Sequence, residues 1–130
     1  MSIKFVISKL VTFRVSGQIN DAEGVPQPFD FALTCERLAQ PELDALQAAR
    51  SDMPLADFFA GPRLDAQGQP VLDGVGQPVP FTHGWKDVQD DAGEPLPFTQ
   101  GRLRELLAIP GMALCAFFAY RNECGAKQKN

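Results

Sequence analysis

The chain has one histidine, one tryptophan, one tyrosine and three cysteines among its 130 residues. It has no CxxC, no HxxxH and none of the Cys–His spacings of a zinc centre, so no metal site is expected. A GxxxxGK[ST] phosphate loop and a GxSxG nucleophile elbow are also missing. Cys35, Cys115 and Cys124 form an odd, scattered set. That argues against a disulfide framework and predicts buried free thiols in a reducing cytoplasm. Positive charge is scarce, with 12 Lys and Arg against 16 Asp and Glu and a net charge of -4. Without basic clusters the chain lacks the surface that neutralises phosphates, and no nucleic acid is expected as a partner. Long apolar runs are absent as well. Lys4, Lys9 and Arg14 interrupt the N-terminal one. The expectation is a cytoplasmic protein with no leader, membrane span or lipid anchor.

Hydrophobic residues make up 45% and charged residues 22%. That composition suits one soluble domain spanning 1–130 with a modest core. Residues 1–38 read as β-rich. Val11, Phe13, Val15 and Ile19 fall on alternate positions, with Gly17 between and Thr12, Arg14, Ser16 and Gln18 on the other face. A second run places Phe29, Phe31, Leu33 and Cys35 inward and Asp30, Thr34 and Glu36 outward. Turn chemistry at 20–24 joins the runs into an antiparallel hairpin, which needs helices over its apolar face.

Short helices are predicted at 41–50, opened by Pro41, and at 54–60, stopped by Gly61 and Pro62. Residues 61–98 are rich in Gly, Pro, Asp and Gln and read as turns and short extended pieces, tied to the core by Trp85 and Val88. Two helices are predicted over 99–124. Thr99 caps the first, with Phe98 and Leu103 placed as a hydrophobic staple and Leu103, Leu106 and Leu107 on one face. Ile109 and Pro110 end that helix, and Pro110 opens the next, which Gly125 terminates. Residues 125–130 form a polar tail. The fold class is therefore α+β, an N-terminal antiparallel β-hairpin or small sheet packed against C-terminal α-helices.

A decapeptide recurs as NDAEGVPQPF at 20–29, LDGVGQPVPF at 72–81 and QDDAGEPLPF at 89–98, with a truncated LDAQGQPV at 64–71. The aspartate is placed to cap a turn, the glycine to supply positive φ, the prolines to keep the exit extended, and the phenylalanine to enter the core. A calcium loop would need alternating acidic ligands and a distal glutamate, which no copy has.

Catalysis needs convergent titratable groups. His83 is the only histidine, and its pairing with Cys35, Cys115 or Cys124 as a thiol dyad has no support in sequence. No catalytic or cofactor-binding residue is assigned, no cofactor is expected, and the chain reads as a binding protein. Leu114, Phe117, Phe118 and Tyr120 wrap around more than one face of the last helix and are the candidate partner-binding residues. The competing reading places the aromatics in the core.

Several segments in order carry a family resemblance. They are WKDV at 85–88, GEPLPFT at 93–99, LRELL at 103–107, PGM at 110–112 and the Ala119–Tyr120 pair, with VTFRVSGQINDAEGVPQPFDFALTCERL at 11–38. Together they resemble the tail assembly chaperones of long-tailed bacteriophages or prophages. The stretch 61–83 has no counterpart. The resemblance implies a protein that binds the helical, hydrophobic tape measure protein in the host cytoplasm, keeps it soluble and helps recruit major tail protein. It would be absent from the finished virion. A longer frameshifted product is also implied for many members, and the ending QKN is compatible with a slippery heptamer. Homo-oligomerisation is a further possibility. Competing classes are a structural tail or head–tail connector component and a small acidic toxin-neutralising protein.

Overall fold

The computed structural model describes residues 9–49, 55–65 and 67–124, and only the backbone over 46–49. The expected helix end at Arg50, the start at Pro54, the terminator Gly125 and the polar tail lie outside the described residues, as does most of the N-terminal segment. The fold is α+β, as the sequence predicts. Strands β1 (Leu10–Asn20), β2 (Pro26–Glu36) and β3 (Thr82–Lys86) form an antiparallel sheet in the order β1-β2-β3. Helices α1 (Gln40–Ala49), α2 (Leu55–Ala60), α3 (Gln100–Leu107) and α4 (Met112–Cys124) complete the chain.

Alternation sets the β1/β2 register. Val11, Phe13 and Val15 stand opposite Cys35, Leu33 and Phe31, and all six are buried. Ile19 was expected on that face too, but it is 39% exposed, because the hairpin end extends beyond the helices that cover the rest. Gly17 faces Phe29, and a Cβ there would meet the Phe29 ring at 2.7 Å. The ring thus occupies the space that the glycine leaves. On the outer face Thr12 and Thr34 share a hydroxyl hydrogen bond of 2.9 Å. Arg14 bridges Asp30 at 2.8 Å and Asp87 at 3.0 Å.

β3 lies inside the stretch read as turns. Five residues containing Gly84 and a single aromatic give little alternation, and the partner is supplied by β2, some fifty positions earlier in sequence. A bulge shifts the register between Thr34 and Cys35. Thr82 stays on the core face, where its hydroxyl donates to the Phe59 carbonyl at 2.7 Å. That donation uses the only hydroxyl proton, so the Cys35 thiol donates to Thr82 Oγ1 at 3.3 Å.

The four repeated turns are one structure built four times. In each, the aspartate Oδ1 accepts from the backbone N–H two and four residues ahead: Glu23 and Val25, Gln67 and Gln69, Val75 and Gln77, Ala92 and Glu94. The glycines Gly24, Gly68, Gly76 and Gly93 have φ of 79°, 80°, 82° and 80°, the left-handed geometry the repeat predicts. Two consecutive copies make the 61–81 segment a closed figure. Val71 N–H donates to Arg63 O, Val79 N–H to Val71 O and Arg63 N–H to Val79 O, at 2.8–2.9 Å. Residues 63, 71 and 79 therefore pass backbone hydrogen bonds around a ring, with the turns as protruding arms. Phe81 N–H then donates to Gly61 O, closing the segment at its base.

Below the sheet lies an aromatic cluster. Tyr120 contacts Phe13, Phe58, Phe59 and Phe81 with ring centroids 5.4–6.3 Å apart, and Phe58 and Phe81 approach to 4.4 Å. Phe59, Phe81, Phe117 and Tyr120 are essentially inaccessible. Thr99 caps α3 as predicted, its hydroxyl accepting from Arg102 N–H at 3.0 Å. Phe98 packs edge-on against Trp85, whose indole N–H donates to the Leu96 carbonyl at 2.8 Å. Gly111, with φ of 83°, separates Pro110 from α4, so the helix begins at Met112 and not at the proline.

Candidate partner-binding surface

α4 divides the four candidate residues. Met112, Ala116 and Tyr120 follow one another at four-residue spacing and are buried with Phe117 against the sheet and α2. Leu114 and Phe118 stand two positions on from Met112 and Ala116, about 200° around the helix. They are 40% and 52% exposed and one turn apart, so their side chains form a short apolar ridge. Phe117 and Tyr120 therefore leave the candidate set. A partner cannot touch side chains that are 1% and 0% exposed without opening the core. The Phe118 ring lies 6.3 Å from that of Phe117, which seats the ridge on a fixed base. Cys115, expected in the core, is exposed beside the ridge, and Arg121 is exposed one turn after Phe118.

Tyr120 has a structural task that its aromatic character alone did not reveal. Its hydroxyl donates to the Glu36 carbonyl at 2.8 Å and accepts from Leu38 N–H at 3.0 Å. It thereby satisfies both backbone groups where β2 leaves the sheet. Burial pushes its ionisation well above the usual range. Burial likewise pushes the Cys35 thiol up to about 12, against a smaller opposing effect from Thr82. A thiol held protonated in this way is a poor nucleophile.

His83 and Cys35 point to opposite faces of the sheet. Cys35 is in the core, whereas His83 Nε2 contacts Glu36 Oε2 at 2.7 Å on the outer side. Glu36 was assigned outward and is so directed, yet it is only 9% exposed, because Arg63 and His83 close over it. Arg63 also reaches both carboxylate oxygens of Glu42 at 3.2 Å. Glu42 in turn accepts from Ala39 N–H at 3.1 Å and caps α1 in place of a conventional N-cap side chain. This four-residue network joins β2, β3, α1 and the start of the ring. Sequence reasoning missed it, because its members are up to 47 positions apart and share no motif.

Among the described residues no group of three or more His, Cys, Asp or Glu is placed to hold a metal ion. No single helix among them is long and apolar enough to cross a membrane, and the α3–α4 pair is bent by 106°. Comparison with protein-family models, with curated proteins and with solved structures gives no match.

Proposed function

We propose that this chain is a non-enzymatic binding protein of the tail assembly chaperone type. In this reading it holds the helical tape measure protein in the host cytoplasm and helps recruit major tail protein before leaving the assembly. The observation that supports it is the ridge of Leu114 and Phe118, two large apolar side chains on one exposed helix face above a rigid aromatic base. A solvated apolar ridge on an acidic body suits an amphipathic helix laid along α4. Several such contacts along one long partner would hold it strongly while each remains displaceable.

The test is capture of a tape measure fragment encoded beside the gene, using the full chain and the double variant Leu114→Asp/Phe118→Asp. Both positions are exposed, so the variant is expected to keep the wild-type circular dichroism and melting transition. Capture by wild type and loss in the folded variant is the expected outcome. Equal capture by both proteins would remove the ridge from the reading, and no capture by wild type would remove the reading itself.

A further inference from the structure

An open cleft of about 650 Å³ lies where the chain leaves β2 and enters α1. Lys9, Glu36, Arg37, Glu42 and Arg63 supply its charged lining. Both carboxylates are already committed. Glu36 meets Arg63 with one oxygen and His83 with the other, while both Glu42 oxygens meet Arg63. Arg63 thus faces two carboxylates, which leaves one negative charge over. Lys9 and Arg37 differ. Among the described residues no carboxylate lies within ion-pair distance of either, and the Arg37 guanidinium is held at 3.1 Å by one neutral acceptor, the Cys124 carbonyl. Among the described residues the buried Nε–H of Arg37, like that of Arg63, has no acceptor. The charged lining is three cations against two carboxylates, one positive charge over in a chain of net charge -4, and Lys9 and Arg37 are its two cations with no carboxylate partner among the described residues.

Arg37 links the cleft to the C-terminal end of the helix that carries the ridge. Arg37 grips the last residue of α4, six positions after Phe118, about 9 Å further along the helix axis. Steps of three residues lead from Phe118 through the exposed Arg121 to Cys124 and the Arg37 side chain. The exposed end of α4 carries both Arg121 and Glu123, and Arg37 meets the helix just beyond them.

We infer that the Lys9/Arg37 cleft receives carboxylates at one end of the partner helix that lies on Leu114 and Phe118. This inference rests on the binding reading above and adds polarity to it. The partner would be an amphipathic helix with an acidic end, docked in one direction only, the acidic end over the C-terminus of α4. Charge complementarity of this kind sets orientation and partner choice more than bulk affinity.

The experiment compares three synthetic helical peptides with one apolar face and an acidic, neutral or basic terminal extension. Fluorescence anisotropy measures their binding to the full chain. The acidic peptide is expected to bind roughly tenfold more tightly than the neutral one at low salt, with the advantage fading as the Debye length shrinks. Lys9→Glu is expected to abolish or reverse that preference and to leave neutral-peptide affinity unchanged. Arg37→Glu is a second variant, paired with a melting curve because Arg37 also tethers α4. Equal affinity of the three peptides for wild type, or a preference that survives Lys9→Glu, overturns the inference. Neutral-peptide binding that needs Leu114 and Phe118 but gains nothing from an acidic end leaves the chaperone reading standing without its polarity. Binding of no peptide overturns both.

Discussion

Val75 and Phe81 are six positions apart and are held in place by different forces. Val75 is 81% exposed at the tip of a turn, and Phe81 is 1% exposed against Phe58, Phe59 and Tyr120. Around Phe81 the fold is maintained by burial: apolar surface from β1, β2, α2 and α4 meets there and excludes water. Around Val75 almost nothing is buried. Shape comes from an aspartate gripping two amides, a glycine in the left-handed region and a ring of three backbone hydrogen bonds. One region should unfold the molecule when damaged, and the other should change shape locally while the core stands.

The largest effect is expected in the aromatic cluster. Phe59→Ala removes a fully buried ring and should cost about 3–5 kcal/mol, read as a lower urea midpoint. Cys35 provides an internal reporter, because its thiol is buried and held protonated in the native state and becomes reactive when that state opens. Labelling with a thiol reagent should therefore modify the exposed Cys115 in both proteins and Cys35 rapidly only in the variant. Equal protection of Cys35 in the two would show that the cluster is not what keeps the sheet closed.

Tyr120→Phe keeps the ring and removes one hydroxyl, so it separates packing from hydrogen bonding at the same site. It leaves the Leu38 N–H and the Glu36 carbonyl without their partner, at a cost of about 1–3 kcal/mol by denaturant titration. An unchanged midpoint would mean that water replaces the hydroxyl at no loss.

In the turn region the expected effects are smaller and local. Gly76→Ala forces a Cβ into φ of 82°, with nothing nearby to clash, so the cost is the backbone preference alone, about 1–2 kcal/mol. Amide exchange should rise over the 72–79 arm and remain slow in β1 and β2. A uniform rise through the sheet would break the distinction between the two regions.

Smallest of all should be the response to acid. Backbone N–H donors from Val25 and Glu23 hold the Asp21 carboxyl below the usual carboxylate range, and those of Gln77 and Val75 do the same for Asp73. A carboxyl whose folded value is depressed stabilises the fold above its unfolded value of about 3.9 and loses that contribution as pH falls through the folded value. Both turns should therefore keep their native amide shifts at neutral pH and titrate with midpoints under 3.9, as followed by heteronuclear NMR. Midpoints at or above the ordinary carboxylate value would mean that the Asx bonds do not form in solution.

Much of the fold was legible wherever its cause was local. The β1/β2 alternation, the Thr99 cap and the four aspartate–glycine turns each depend on residues within a few positions of one another, or on a two-residue period. The candidate surface was legible only in part. Leu114 and Phe118 keep the exposure a docking ridge needs, while the aromatic Phe117 and Tyr120, one and two positions from Phe118, are core. The pattern MALCAFFAYR is apolar on nearly every side, so periodicity alone cannot say which side the sheet will cover. The Glu36–Arg63–Glu42–His83 network left no trace in sequence, because neither charge spacing nor motif links four different elements.

By itself the sequence determined the hairpin, the two C-terminal helices and the chemistry of every repeated turn, because those are settled by contacts within one turn or between alternating neighbours. The tertiary structure alone decided three things. It paired Thr82–Lys86 with β2, it closed 63, 71 and 79 into a ring, and it chose which face of α4 would be buried. Each of those depends on groups that meet only after the chain has collapsed, when burial and hydrogen-bond satisfaction are settled together across distant segments.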